Sequence, residues 1–212
     1  MEPTLRLPER LVVPLFPLPN AILFPGARLP LYIFEPRYKR MIDDIMEAER
    51  YLSVALISGK DDHDRTPRAI CGLGHVAEME RLPKNEKNIV VVGLERVQII
   101  REVDSDPYIQ AEVKPLVQKT PDAETHEQLF SRLRDVVKSW LFRMRAGNMR
   151  RLAEFGGVRS VAEMCDFFGA YLLDDTRERQ ALLEELDVEA RALRIIRLVE
   201  TQLYRYSAPF EN

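Results

Sequence analysis

Apolar residues recur along this chain with two different periods, and the change falls near Pro121. Before it, short β-branched and aromatic runs are punctuated by proline and glycine. After it, apolar positions return every three to four residues. The first pattern is that of strands and the second that of helices. The runs at 11–15, 28–33, 52–58, 74–81, 88–93, 96–102 and 109–116 read as strands. Several are apolar on both faces, as in a sheet that curls into a small closed or half-closed barrel. One helix interrupts them. Pro36 suits its first position, where a missing N–H costs nothing. Tyr38, Met41, Ile42, Ile45 and Met46 then fall on one face, with Lys39, Asp43, Asp44 and Glu47 turned away.

The later segment reads as a helical bundle. Leu129, Leu133, Val136, Val137, Trp140, Leu141 and Met144 form one apolar stripe, stopped at Gly147-Asn148. Ser160 with Glu163 forms a capping box ahead of Val161, Met164, Cys165, Phe168 and Leu172. A short helix over about 177–185 follows. A longer one over about 188–206 carries Val188, Ala192, Ile195, Ile196, Val199 and Leu203 on one side, with Asp187 as its cap. The fold class is therefore α+β: a barrel with one inserted helix over residues 1–118, a short linker, and a bundle over 122–212.

Composition narrows the class further. With 46% hydrophobic and 31% charged residues in a 212-residue chain, the protein is expected to be soluble and globular. No apolar run approaches the roughly 20 residues of a membrane helix. The N-terminus lacks the basic start and apolar stretch of a secretory signal, so the expected compartment is the cytoplasm. Cys71 and Cys165, the two cysteines, are expected to be buried free thiols there. A net charge of −3 disfavours a dedicated nucleic-acid binder, whose domain is usually basic.

A search for chemistry returns little. The sole Gly-Lys pair, Gly59-Lys60, precedes Asp61-Asp62, whose charges would repel phosphate, and Gly72-Leu73-Gly74 is too short for a dinucleotide fingerprint. Asp61-Asp62-His63-Asp64 offers oxygen and imidazole ligands, but adjacent side chains rarely converge on one ion, so it reads as a solvated loop. His75 reads as a strand residue and His126 as an exposed residue of a helix's first turn. No Gly-x-Ser-x-Gly elbow is present. No catalytic residue, metal ligand or cofactor site is assigned. Lys138, Arg143, Arg145, Arg150 and Arg151 form a cationic run with two readings. It complements the negative end of the long helix, or it meets an acidic partner or nucleic acid.

The ordered motifs say more than any site. Leu15-Phe16-Pro17-Leu18-Pro19-Asn20-Ala21-Ile22-Leu23-Phe24-Pro25-Gly26, then Leu29-Pro30-Leu31-Tyr32-Ile33-Phe34, resembles the start of the Lon protease N-terminal domain. Phe34-Glu35-Pro36-Arg37-Tyr38 looks like the version in stand-alone members of that family. Gly72-Leu73-Gly74-His75-Val76-Ala77, Val91-Val92-Gly93-Leu94-Glu95-Arg96-Val97 and Pro107-Tyr108-Ile109-Gln110-Ala111-Glu112-Val113 are similar to three of its strand motifs. Leu182-Leu183-Glu184-Glu185-Leu186-Asp187-Val188-Glu189-Ala190-Arg191 is similar to a stretch of its bundle. Each motif alone is weak; in the family's order they are specific.

The resemblance implies a PUA-like β-barrel followed by a helical bundle, and a role in binding protein or peptide segments, unfolded ones included. An adaptor or substrate-recognition role in proteolysis follows. The sequence ends at Asn212, and no residues match an ATPase or a Ser-Lys protease, so neither activity carries over. The expected contact wall for a peptide is Phe16, Phe24, Phe34, Arg37 and Tyr38, with the segment added to an open barrel edge or lying in a cleft. The alternative is an RNA-binding PUA-like module, which would show salt-dependent retention.

Overall fold

A computed structural model describes residues 7–58, 66–104, 106–143 and 155–207. The chain divides into two units at Leu116/Val117. Gln118 and Lys119 sit with the helices: the Lys119 N–H donates to the Leu186 carbonyl at 3.0 Å, and the Val188 N–H to the Lys119 carbonyl at 3.0 Å.

The first unit is built on strands β1 (Leu11–Leu18), β2 (Arg28–Ile33), β3 (Tyr51–Ser58), β4 (Thr66–Pro67), β5 (Ile70–Arg81), β6 (Lys87–Asp104) and β7 (Gln110–Pro115). Strand β1 changes partner along its length. Its first half pairs antiparallel with β7, and Leu15 to Leu18 pair parallel with Ser53 to Leu56 of β3. That switch closes the ring β1-β7-β6-β5-β3 into a barrel. Its interior holds Val13, Leu15, Ala55, Cys71, Leu73, Val97, Ala111 and Val113.

One strand-level expectation is corrected. The runs at 88–93 and 96–102 are a single strand, the 18-residue β6. Register shifts in its pairing with β5, between Leu73 and Gly74 and between Val76 and Glu78, absorb the irregularity as bulges. Glycine is needed at this bend because the chain crosses itself. A Cβ on Gly93 would lie 2.0 Å from the Phe24 carbonyl oxygen, and one on Gly72 would lie 1.9 Å from that of Leu23. The Gly-x-Gly at 72–74 is a slot for the 22–24 crossing.

The length of β6 gives the sheet two parts. Its second half belongs to the barrel, and its first half projects as a three-stranded arm between β2 and the end of β5. Helix α1 (Pro36–Met46) covers one face of this arm. Tyr38, Met41, Ile42 and Ile45 pack there with Ile33, Val76, Ile89 and Val91. Burial of these side chains stabilises by about 1.5–3 kcal/mol apiece.

The second unit comprises α2 (Ala123–Arg143), α3 (Val161–Tyr171), α4 (Thr176–Glu184) and α5 (Val188–Ser207). Each start has a side-chain cap. Asp122 accepts from the Thr125 N–H, Ser160 from Glu163, Asp175 from Glu178, and Asp187 from Glu189 and Ala190. Leu133, Val137, Met164, Ile195 and Ile196 are fully buried among these helices. Arg191 and Asp166, both inside, form an ion pair at 3.1 Å. His126 departs from expectation. It is half-buried, stacks on Phe130, and its Nε2 accepts from the Val161 N–H at 3.3 Å, holding the start of α3.

Candidate functional site

Strand alternation sorts the arm's residues between two faces. The α1 face takes Leu29, Leu31 and Ile33 from β2, and Ile89 and Val91 from β6. It also takes two cations. Lys87, with no side-chain exposure, reaches Asp43 Oδ2 at 3.1 Å, and Arg81 reaches Asp43 Oδ1 at 3.5 Å. The described residues of the opposite face are exposed or half-buried. Register stacks Pro30, Val90 and Glu78 in one row across the three strands, and Tyr32, Asn88 and Glu80 in the next. Residues of both rows line a groove of about 580 Å³, within the ordinary size range of ligand sites.

Polar contacts hold the groove's rim. Arg28 pairs with Glu78, Asn88 donates to Glu80 at 3.1 Å, and the Tyr32 hydroxyl donates to Glu86. The hydrogen bond to the Glu86 carboxylate pushes the Tyr32 phenol up. Tyr32 is nonetheless 52% exposed, and Phe34, 56% exposed, stacks on it with ring centroids 5.8 Å apart. Two adjacent half-exposed aromatic rings at the mouth of a groove form a contact platform.

β2 pairs with β6 along one side, and among the described residues no strand pairs with its other side. Backbone direction decides what that edge offers. The Gly93 N–H donates to the Ala27 carbonyl at 2.9 Å, so Leu29, Leu31 and Ile33 turn their polar groups toward β6, and Arg28, Pro30 and Tyr32 turn theirs outward. Pro30, at the centre of the open edge, has no N–H to give. The edge is blunted against strand addition, and the groove on the face is the better receptor.

The five residues expected to form a wall are divided between the core and the surface. Phe16 and Tyr38 are buried, with ring centroids 4.4 Å apart, in the core beneath α1. Phe24 is wholly buried, with the Arg96 guanidinium 5.9 Å from its ring centroid. Arg37 lies over the outer side of Tyr38 at 4.5 Å and pairs with Glu35 at 3.0 Å. Phe34 alone among the five joins the exposed platform. The groove residues Tyr32, Val90, Glu78 and Glu80 were not singled out in the sequence. The alternation Arg28-Leu29-Pro30-Leu31-Tyr32-Ile33 carries the signal that finds them, since it sets Arg28, Pro30 and Tyr32 on one face.

Other chemistry is sparse. Among the described residues no group of three or more His, Cys, Asp or Glu side chains is placed to hold a metal ion. Among them, too, no helix is long and apolar enough to cross a membrane. The run Asp61-Asp62-His63-Asp64 lies outside the described residues, as do Arg145, Arg150 and Arg151 of the cationic run. Cys71 and Cys165 are buried free thiols.

A closed five-strand barrel carrying a helix-backed arm, followed by a helical bundle, is the PUA-like α+β architecture. Solved structures share it. The N-terminal domain of a Mycobacterium avium complex Lon protease matches with a TM-score of 0.70 at 20% identity, over 90% of this chain and 98% of that one. A Lon N-terminal domain protein from Xanthomonas campestris matches with a TM-score of 0.64 at 21% identity, over 88% of this chain and 97% of that one. The model of the ATP-dependent protease La (LON) substrate-binding domain matches residues 12–201, and the chain belongs to that family. Lon proteases of Desulfosudis oleivorans and Flavobacterium johnsoniae are 27% and 24% identical over 93% and 91% of this chain. The chain spans about a quarter of the length of these relatives, 24% in each case.

Proposed function

We propose that this chain recognises extended segments of client proteins and performs no chemistry on them, acting as a substrate-recognition or adaptor module in proteolysis. The observation that carries the reading is the groove on the face of the β2-β6-β5 arm opposite α1, in a member of a substrate-binding family. Pro30, Val90 and the Tyr32–Phe34 platform offer apolar contact, and the Asn88 amide and the glutamates offer hydrogen bonds at fixed places. Unfolded clients suit such a site better than folded ones, because an extended chain presents backbone and alternate side chains together. The two carboxylates in the lining disfavour a phosphate backbone, so nucleic acid has no part in this reading. The absence of a membrane-spanning helix among the described residues and the buried free thiols support the cytoplasm as the working compartment.

Retention of casein, as an unfolded client, against a folded control protein tests the reading. Casein is expected to be retained and the control not, and Val90→Asp is expected to lower casein affinity about tenfold while leaving the circular dichroism spectrum unchanged. Equal failure to bind both proteins overturns the reading, and full affinity in Val90→Asp overturns the site.

A further inference from the structure

Resting on that reading, we infer that the groove selects client segments in which basic side chains alternate with apolar ones. The argument comes from how the lining is divided. Register places apolar Pro30 and Val90 beside Glu78 in one row, and Tyr32 and Asn88 beside Glu80 in the next. The two charged side chains of the lining are therefore carboxylates, and both stand on β5, along one flank of the groove. Neither is buried. Glu78 is 64% exposed and shares its charge with Arg28. Glu80 takes a hydrogen bond from the neutral Asn88 amide and lies within ion-pair distance of no cation among the described residues. The flank keeps net negative charge, and it stands one strand spacing, roughly 5 Å, from Val90 and two from Pro30 and Tyr32.

An extended segment turns successive side chains to alternate sides at intervals of about 3.3 Å. Laid along the groove, it sets apolar side chains on Pro30, Val90 and Tyr32 when its basic ones lean toward Glu78 and Glu80. A Lys or Arg suits this arrangement because its methylene stem covers apolar surface while its charge reaches the rim. An acidic segment of the same hydrophobicity meets like charge and is rejected. The device sorts clients by charge pattern as well as by hydrophobicity.

Fluorescence anisotropy of the full chain with three labelled ten-residue peptides tests this. One alternates valine with lysine, and the others replace lysine by glutamine or by glutamate. At low salt the lysine peptide is expected to bind about fivefold tighter than the glutamine peptide, and the glutamate peptide weakest, with the difference shrinking at high salt. The double variant Glu78→Gln/Glu80→Gln is expected to bring the lysine and glutamine peptides within twofold of one another. Both positions are exposed, and circular dichroism reads the fold of each protein. Equal affinity of the native chain for lysine and glutamine peptides overturns the inference and leaves peptide binding standing, as does a lysine preference that survives the double variant. Failure of every peptide and of casein overturns the inference together with the reading beneath it.

Discussion

Lys87 and Asp43 meet at 3.1 Å beneath the arm, with the lysine side chain wholly buried and the aspartate 30% exposed. The Lys87 ammonium also donates to the Lys39 carbonyl at 3.2 Å, so two groups of α1 hold one charge of β6. This pair fastens the helix to one face of the three-stranded arm and leaves the other face open for the groove. The two partners are not equivalent. Removing Asp43 strands a cation in the interior, whereas removing Lys87 leaves a partly solvated carboxylate still facing Arg81. Asp43→Ala is therefore expected to destabilise by about 2 kcal/mol, and Lys87→Met by about 1 kcal/mol or less. Urea unfolding curves check the order, and Lys87→Met as the costlier change would contradict it.

The chain crossing at Gly93 gives a sharper test. A methyl there meets the Phe24 carbonyl oxygen at 2.0 Å and its carbon at 2.8 Å, both backbone atoms that cannot turn aside. Gly93→Ala is expected to cost about 3 kcal/mol or more, by overpacking. At Gly156 a Cβ meets nothing within 4 Å, and Gly156→Ala is expected to stay within about 0.5 kcal/mol of the native chain. Thermal melts of the pair decide it.

The start of α5 confers a pH dependence. The hydrogen bond from Lys119, and then that from the Ala190 N–H, hold the Asp187 carboxyl below its ordinary range. A depressed folded-state pKa means that the stabilisation is present above the unfolded value, about pH 4, and is lost as pH falls through the folded one. Lys119 is shifted upward by the same partner, so its share is present below the unfolded value, near pH 10, and is lost as pH rises through the folded one. Asp187→Asn keeps an oxygen for the cap and removes the charge. It is expected to flatten the fall in stability below about pH 4, read from denaturation midpoints across that range.

Thiol chemistry separates the native from the unfolded chain. Burial pushes the Cys71 thiol up to about 12, and Cys165 is 1% exposed. At pH 8 the Cys71 thiolate is then roughly one in ten thousand of the population. Alkylation of the native protein is expected to be slow at both cysteines and to become complete in urea. Rapid labelling of Cys71 in the native state would contradict its place in the barrel interior. Its raised pKa also predicts stability lost as pH rises above about 9, because the unfolded thiol ionises first.

Much of this architecture is legible in the residues. The apolar stripes of the bundle and the capping residues Ser160 and Asp187 mark helix faces and starts, because capping and amphipathicity are local. The position of α1 follows from Pro36 and the spacing of Tyr38, Met41, Ile42 and Ile45 for the same reason. The order of motifs also marks the family. Strand continuity was less visible. The runs on either side of Gly93 read as two strands, since a glycine between two β runs has the same local signature whether the strand ends or a second segment crosses over it.

The wall of aromatic residues shows where local pattern stops. Phe16, Phe24 and Tyr38 are as apolar in sequence as Phe34, yet three lie in the core and one lies on the surface. Sequence by itself determined the composition of each face, through the alternation along β2 and the helical spacing of α1. Which face of the arm α1 covers, and so which face stays open with Tyr32, Val90, Glu78 and Glu80 across it, was decided by tertiary structure alone. The reason is that those residues come from three strands, and only pairing between distant segments brings their side chains into one row.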